Sequence, residues 1–210
     1  MTATLVKICG LSTPETLAAA VRAGASHVGF VHFAKSPRHL GLADAARLRS
    51  LVPAHVKAVL LVVNPSPESL AEAVRLVAPD VVQFHGAETP DALARFRAET
   101  GIEAWRAMAV RDAASLAGVA AFRGAADLVL LDAPASSLPG GNGTAFDWSL
   151  LAGWQAPLAW GLAGGLTPAN VGEAIRLTGA RLVDTSSGVE RSPGIKDVDK
   201  ITAFCKAAHI

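Results

Sequence analysis

Two side chains that can transfer protons stand at the ends of apolar runs in this sequence. Cys9 ends the first run, and Asp132 ends the run Leu-Val-Leu-Leu at 128–131, where a carboxylate is out of place. A carboxyl group can donate a proton, whereas a thiol accepts one only as the thiolate, with a reference pKa of about 8.5. The alternatives are an inert core cysteine and an aspartate that caps or braces a loop.

Glycines and hydroxyl groups in two later segments predict a site for a phosphate group. Gly164 and Gly165 follow one apolar run, and the absence of a Cβ lets their backbone N–H groups approach a ligand. Ser186, Ser187 and Gly188 follow the next run and can offer hydroxyl and N–H groups at the start of a short helix. A tight turn is the alternative for the two glycines. The presence of both segments favours phosphate binding.

Two further side chains are candidates for ligand contacts. Arg38 lies in a Ser-Pro-Arg loop and can present its guanidinium to a carboxylate, or it can be a solvated loop residue. His85 can contact a ligand or donate a hydrogen bond to a neighbouring loop. Asp147 is instead expected to brace a helix beside Trp148.

No metal site is predicted, because the other histidines lack the spacing of metal ligands. These are His27, His32, His39, His55 and His209.

The positions of these residues depend on strands and helices that alternate along the chain. Strands are predicted at residues 5–9, 27–33, 56–63, 80–85, 103–107, 127–132, 158–163 and 181–185. Helices are predicted at residues 14–23, 43–51, 67–77, 90–99, 168–177 and 198–208, with weaker patterns after the fifth and sixth strands. A hydroxyl residue followed by proline precedes four helices, and glycine closes two. These residues are Thr13, Ser66, Thr89 and Thr167, and then Gly24 and Gly179.

Eight such units of about 26 residues predict an α/β fold, a single (β/α)8 barrel over residues 1–210. A doubly wound open sheet is the alternative, although no glycine-rich dinucleotide motif follows the first strand. In a barrel the carboxyl ends of the strands face the active site. Lys7 and Cys9 lie on the same face of the first strand. If that face is the barrel interior, Lys7 needs a buried carboxylate, and Asp184 is its predicted partner.

The composition excludes several classes of function. The 210 residues are 51% hydrophobic and 18% charged, which is ample material for a core. Nineteen basic and eighteen acidic residues give a formal net charge of +1, so no global field attracts nucleic acid or an anionic membrane. We find no signal peptide and no apolar run of about 20 residues. We therefore expect a cytoplasmic protein in which Cys9 and Cys205 are reduced.

Six segments carry the candidate residues in a fixed order. They are Lys-Ile-Cys-Gly at 7–10, Ser-Pro-Arg at 36–38, Gln-Phe-His-Gly at 83–86, Gly-Gly-Asn-Gly at 140–143 with Phe-Asp-Trp at 146–148, Leu-Ala-Gly-Gly-Leu at 162–166, and Asp-Thr-Ser-Ser-Gly-Val-Glu at 184–190. Together they resemble the phosphoribosylanthranilate isomerase family, and the likeness extends to Pro-Gly-Ile-Lys-Asp at 193–197. The segment at 30–34 departs from the family pattern, which bears on the pocket for an aromatic ring.

The resemblance implies an Amadori rearrangement in tryptophan biosynthesis. N-(5′-phosphoribosyl)anthranilate would become 1-(2-carboxyphenylamino)-1-deoxyribulose 5-phosphate without a metal or organic cofactor. Asp132 would be the general acid that opens the ribose ring to a Schiff base, and Cys9 the general base at C2′. Residues 140–143 would cover the site. The implied substrate-binding residues are Arg38 for the anthranilate carboxylate, Gly164, Gly165, Ser186, Ser187 and Gly188 for the phosphate, and His85 and Asp184.

Other functions stay open from the sequence alone. A histidine-pathway isomerase or a bifunctional relative would carry an aspartate where Cys9 stands, and indoleglycerol-phosphate synthase would need a lysine acid at another strand end. A catalytically silent sugar-phosphate-binding protein would keep its role without Cys9 or Asp132. In each case we expect a small phosphorylated ligand, no nucleic acid, no membrane, and a monomer or homodimer.

Overall fold

Eight parallel strands close into a barrel in the structure, a computed structural model that describes residues 4–134 and 146–209. The strands are β1 (Leu5–Cys9), β2 (His27–His32), β3 (Lys57–Val62), β4 (Val81–Phe84), β5 (Glu103–Ala109), β6 (Leu128–Asp132), β7 (Trp160–Leu162) and β8 (Leu182–Thr185). Each strand pairs with the next, and β8 pairs with β1, so the predicted (β/α)8 barrel is confirmed. The predicted cover at 140–143 lies outside the described residues.

Helices surround the barrel. They are α1 (Pro14–Arg22), α2 (Leu42–Arg49), α3 (Pro67–Val77), α4 (Pro90–Thr100), α5 (Ala113–Ala117), α6 (Val171–Thr178) and α7 (Val198–Ala208). After β5 and β6, where alanine and glycine weaken the helical pattern, 3₁₀ helices form at Gly118–Phe122 and Trp148–Leu151. No helix in the described ranges is long and apolar enough to cross a membrane.

Most of the predicted helix boundaries follow from capping. Thr13, Ser66 and Thr89 precede α1, α3 and α4, and each side chain accepts a hydrogen bond from the N–H group three residues later. A proline follows each cap, where its missing N–H group costs nothing. Gly24 and Gly179 have positive φ angles, as predicted.

The predicted start of α6 at residue 168, with Thr167 as its cap, is wrong. The helix begins at Val171, because Asn170 holds the preceding residues in a turn. Its Oδ1 accepts from the N–H group of Thr167 at 2.7 Å, and its Nδ2 donates to the carbonyl of Gly165 at 3.0 Å. The extra turn braces the loop after β7, which contains the glycine pair.

Alternation along the strands divides the core into two regions. Val6 and Ile8 of β1 are fully buried against the helices, whereas Lys7 and Cys9 face the barrel interior. An apolar cluster fills the interior below them, formed by Val59, Val81, Trp105, Ala107, Leu130 and Leu182. The next inward positions on β4 and β8 carry the buried polar residues Gln83 and Asp184. The interior therefore becomes polar toward the carboxyl ends of the strands.

A short antiparallel hairpin follows the barrel and was not predicted from the sequence. After β8 the chain forms a 3₁₀ helix at Ser187–Val189, then β9 (Glu190–Ser192) and β10 (Ile195–Lys196). The register of the hairpin sets Lys196 beside Glu190. The hairpin lies between the carboxyl end of β8 and the start of α7 in the chain. It therefore lies on the rim of the barrel that carries the carboxyl ends of β1 and β8.

Candidate active site

A cavity opens at the carboxyl ends of the barrel strands. Six of the eight strands or the loops that follow them contribute the residues proposed from the sequence. Those residues, all of which line the cavity, are Cys9, Arg38, His85, Asp132, Gly164, Gly165, Asp184, Ser186, Ser187 and Gly188. The structure therefore brings together all the predicted site residues, as the barrel topology requires.

Asp132 ends β6 and is held by its neighbours. Its Oδ1 accepts a hydrogen bond from the N–H group of Ala133 at 2.8 Å, and its Oδ2 lies 3.3 Å from Nε2 of His85. Gly164 packs closely here, since a Cβ at that position would lie 2.9 Å from Oδ1 of Asp132 and 2.3 Å from the Ala133 nitrogen. Its φ of 80° also favours glycine. Gly164 thus lets the loop after β7 approach the carboxylate.

Lys7 is fully buried in the barrel, one inward position below Cys9. Its Nζ donates to Oδ2 of Asp184 at 2.9 Å, and the β1–β8 register sets the two residues side by side. The predicted ion pair is confirmed. The other oxygen of Asp184, Oδ1, is buried and has no hydrogen-bond partner among the described residues. Because Asp184 lines the cavity, this oxygen can accept a hydrogen bond from a ligand.

These buried charges act on the thiol of Cys9 in opposite directions. Burial raises the pKa of Cys9 because it removes water from the thiolate. The ammonium groups of Lys7 and Lys196 lower this pKa, but they do not offset burial and the charge on Asp184. Burial also lowers the pKa of Lys7, but its ion pair with Asp184, together with its contact to Cys9, raises it by more, so Lys7 stays protonated. At neutral pH Cys9 is therefore a thiol beside two cations.

Backbone amides form the wall of the cavity at the loops after β7 and β8. Gly188 lies against the β7 loop so closely that a Cβ would come within 1.9 Å of the Leu166 carbonyl oxygen. The N–H groups of Gly165, Ser187 and Gly188 donate to no acceptor within the described part of the chain. Backbone N–H groups that lie in neighbouring loops and have no acceptor are suited to binding an anion.

The opposite side of the cavity is apolar, and the sequence had connected only its segment at 30–34 with a pocket. Val31 and Leu61 are buried beside Cys9, and Phe33 and Val63 pack against them. All four residues line the cavity. Val31 and Phe33 belong to the segment at 30–34, so that segment does shape an apolar wall. The cavity can therefore hold a molecule with an anionic end and an apolar end.

Arg38 already binds a carboxylate of the chain. Its Nε and Nη2 donate to Oε1 and Oε2 of Glu190 at 2.7 and 2.8 Å, and its side chain is only 11% exposed. Arg38 is therefore not a solvated loop residue. Its Nη1 bonds no acceptor among the residues described, which leaves one edge of the guanidinium for a ligand. Sequence reasoning missed Glu190 because it lies in the hairpin after β8 and Arg38 lies in a loop, where no strand alternation indicates which side chains meet.

Gln83 is another residue that sequence reasoning missed. It stands two positions before His85, so both side chains face the cavity, and this spacing was the available signal. Its Oε1 is buried without a partner in the described ranges, so it is free to accept a hydrogen bond from a ligand.

Asp147 has the structural role that was predicted for it. Its Oδ1 accepts a hydrogen bond from the N–H group of Ser149 at 2.9 Å and so braces the 3₁₀ helix at Trp148–Leu151.

A closed barrel whose reactive groups meet at the carboxyl ends of its strands is the architecture of the (β/α)8-barrel enzymes, and this chain is one of that class. The family model for N-(5'phosphoribosyl)anthranilate (PRA) isomerase matches residues 6–207. The chain therefore belongs to the N-(5′-phosphoribosyl)anthranilate isomerase family.

Similar proteins match the chain over almost its whole length. An N-(5′-phosphoribosyl)anthranilate isomerase from Erythrobacter litoralis is 62% identical, with 98% of this chain and 99% of the relative covered. One from Paracoccus denitrificans is 52% identical, with 97% and 96% covered. The phosphoribosyl anthranilate isomerase structure from Thermotoga maritima matches with a TM-score of 0.89 at 36% identity, over 98% of both chains. A phosphoribosyl anthranilate isomerase solved with reduced 1-(o-carboxyphenylamino)-1-deoxyribulose 5-phosphate matches with a TM-score of 0.86 at 35% identity, also over 98% of both.

Lys7→Met tests whether the buried ion pair supports the barrel. The change leaves the carboxylate of Asp184 buried without its cation, and we expect the free energy of unfolding to fall by about 3–5 kcal/mol. Lys57→Met is the matched control, because Lys57 pairs with Glu103 at exposed positions, where a pair contributes about 0–1 kcal/mol. Urea unfolding at neutral pH measures both losses. Equal losses in the two variants would contradict a structural role for the Lys7 pair.

Alkylation of Cys9 by iodoacetamide tests the state of its thiol, because only the thiolate reacts. Burial raises the pKa of Cys9, so the rate should rise with pH and reach half its maximum above the pKa of a cysteine in a short peptide. Peptide mapping separates this reaction from that of Cys205, whose pKa burial raises to about 11. A half-maximal rate at lower pH than in the reference peptide would show that the cations outweigh burial.

Proposed function

We propose that this chain converts N-(5′-phosphoribosyl)anthranilate to 1-(2-carboxyphenylamino)-1-deoxyribulose 5-phosphate, an Amadori rearrangement in tryptophan biosynthesis. The observation that carries the proposal is the single cavity shared by Cys9, Asp132 and the free amides after β7 and β8. Family membership supports the same reaction.

We also propose that residues 1–210 form one catalytic domain, which is active as a monomer or homodimer. The proposal also includes a cytoplasmic location, which suits the two free cysteines.

The substrate has two anionic ends, and the cavity offers a separate place for each. We assign the phosphate to the segments Gly164–Gly165 and Ser186–Gly188, where amides are free. The aromatic ring lies against the apolar wall around Leu61, and its carboxylate meets the free edge of Arg38. This orientation leaves the ribose between the thiol and the carboxyl group. The product analogue bound to the solved relative has the same two ends.

Ring opening needs a proton at the ribose ring oxygen, and Asp132 supplies it in this proposal. As the oxygen accepts the proton, its bond to C1′ breaks, and the lone pair of the anthranilate nitrogen forms the C1′=N bond. The result is a cationic Schiff base. His85, whose Nε2 lies 3.3 Å from Oδ2 of Asp132, orients the carboxyl group.

Once the ring is open, the thiol of Cys9 releases its proton to water. The thiolate then removes the proton from C2′, and the electron pair of the C–H bond moves toward the cationic nitrogen. The enolamine that results returns to a ketone when C1′ gains a proton from Cys9 and the C2′ hydroxyl gives its proton to Asp132. The cationic Schiff base, Lys7 and Lys196 all favour the thiolate at this stage. A buried thiol that is neutral at rest can therefore serve as the base once the ring is open.

Asp132 regains its proton from the C2′ hydroxyl, and Cys9 regains from water the proton that it released. Both side chains thus return to their starting states, and no oxidant or reductant is required. The proposal accordingly includes no metal ion and no organic cofactor, and its only partner is the small phosphorylated substrate. Within residues 4–134 and 146–209, no group of three His, Cys, Asp or Glu side chains is arranged to hold a metal ion. Nucleic acid and membrane have no part in the proposed reaction.

Cys9→Ala and Asp132→Asn test the assigned proton transfers. Each change removes one general acid or base, so we expect kcat to fall by about 10²–10⁴-fold. Affinity for the reduced product should change little, because the phosphate and carboxylate contacts remain. Loss of substrate fluorescence measures turnover, calorimetry measures binding, and Cys205→Ala is the control at the other buried cysteine. Full activity in either variant would overturn the assignment. A wild-type protein that binds product without turnover would instead be a binding protein.

A further inference from the structure

A carboxylate outside the proposed reaction collects four hydrogen bonds at the edge of the cavity. Glu190 accepts from Nε and Nη2 of Arg38, from Nζ of Lys196 at 2.6 Å, and from the N–H group of Gly194 at 3.2 Å. Its side chain is 4% exposed and that of Lys196 is fully buried. A buried carboxylate with this many donors has one fixed orientation. Arg38, bound at two nitrogens, is therefore fixed as well.

The hairpin also supports the backbone of the loop that carries Arg38. Gly194, in the turn between β9 and β10, lies so close to the loop that a Cβ would come within 2.4 Å of the Pro37 carbonyl oxygen. Its φ of 83° equally favours glycine. The hairpin thus contacts the Ser-Pro-Arg loop twice, through the Glu190 carboxylate and through this turn.

Lys196 joins the same carboxylate to the phosphate-side wall. Its Nζ donates to the carbonyl and to Oγ of Ser186 at 3.0 and 3.1 Å, and that hydroxyl donates to the Cys9 carbonyl at 3.1 Å. Burial lowers the pKa of Lys196, and Glu190 opposes that shift. Lys196 therefore connects Glu190, which binds Arg38, to the loop after β8 and, through the Ser186 hydroxyl, to the end of β1.

The charges of this group favour an anion beside it. Arg38 and Lys196 contribute two positive charges and Glu190 one negative charge, so the three residues together keep one positive charge. Arg38 is the member that lines the cavity, and its Nη1 bonds no acceptor within the described ranges. A guanidinium with one edge occupied and the other free presents donors in a single direction.

We propose that Glu190 and Lys196 are positioning residues that aim Arg38 at the aromatic carboxylate of the substrate and so set the preference for a carboxylated ring. The inference rests on the proposed isomerase function. Neither residue touches reacting atoms: Glu190 acts through Arg38, and Lys196 acts through Glu190. The hairpin, which includes the segment Pro-Gly-Ile-Lys at 193–196, is thereby part of the specificity of the site.

The test compares two substrates that differ only in that carboxylate. Ribose 5-phosphate is condensed with anthranilate or with aniline, and product formation is followed by chromatography. Wild-type enzyme should prefer the carboxylated substrate by about 100-fold in kcat/KM, the range expected for a charge-assisted pair. Glu190→Gln, which keeps the side-chain shape, should reduce the preference to about tenfold. The loss should be in KM for the carboxylated substrate, with the aniline substrate almost unaffected.

A double-variant cycle separates positioning from stability. In an Arg38→Met background the preference should be lost, and adding Glu190→Gln should change it no further. Glu88→Gln is the matched control, because Glu88 forms an equally buried pair with Arg106 on the same rim but does not line the cavity. That variant should keep the wild-type preference. If Glu190→Gln does not fold, Glu190→Asp, which keeps the charge and draws it back from Arg38, should show the same reduced preference.

Three results would overturn the inference. Equal losses of kcat/KM on both substrates would show that Glu190 only supports the fold. An additive effect of Glu190→Gln in the Arg38→Met background would show that it does not act through Arg38. A Glu88→Gln variant with the same altered preference would show that any buried pair on this rim has the effect. A wild-type enzyme inactive on both substrates would refute the proposed function itself, and the inference with it.

Discussion

A charged lysine buried inside the barrel constrains the structure around it. Lys7 has no access to water, and its ion pair with Asp184 requires β1 and β8 to be neighbours in one register. A lysine at this position would be too costly in an open sheet that left the carboxylate on a distant strand. The pair lies beneath Cys9, so the interaction that closes the barrel also sets the electrostatic surroundings of the thiol.

The cavity above this pair separates three kinds of contact. The free amides after β7 and β8 are suited to an anion, the residues around Leu61 to an apolar group, and the free edge of Arg38 to a second anion. Thiol and carboxyl groups lie between these ends, on β1 and β6. The proposed substrate, held at both ends, would be fixed where proton transfer is needed, and binding energy away from the reacting atoms would then assist the reaction.

Local rules were sufficient for most of the fold and for predicting that the candidate site residues meet at one cavity. The strand period of two predicted that Lys7 faces the interior, and the cost of a buried charge predicted Asp184 as its partner. Features without such a rule could not be read in this way. The bond from Arg38 to Glu190 joins two loops outside the strands, where no alternation indicates which side chains meet. The turn at Asn170 and the β9–β10 hairpin are local, but they are too short to show a periodic pattern. Leu61 and Val63, which complete the apolar wall, were missed because they resemble ordinary core residues.

The proposed reaction depends most on the position of the ribose between Cys9 and Asp132. A crystal structure of this chain with the reduced product bound would test that position directly. We expect Sγ of Cys9 about 3–4 Å from C2′, a near-attack distance, with the phosphate on the amides after β7 and β8 and the aromatic carboxylate at Arg38. A ligand bound with its phosphate at Arg38, or with its sugar out of reach of either Cys9 or Asp132, would contradict the account.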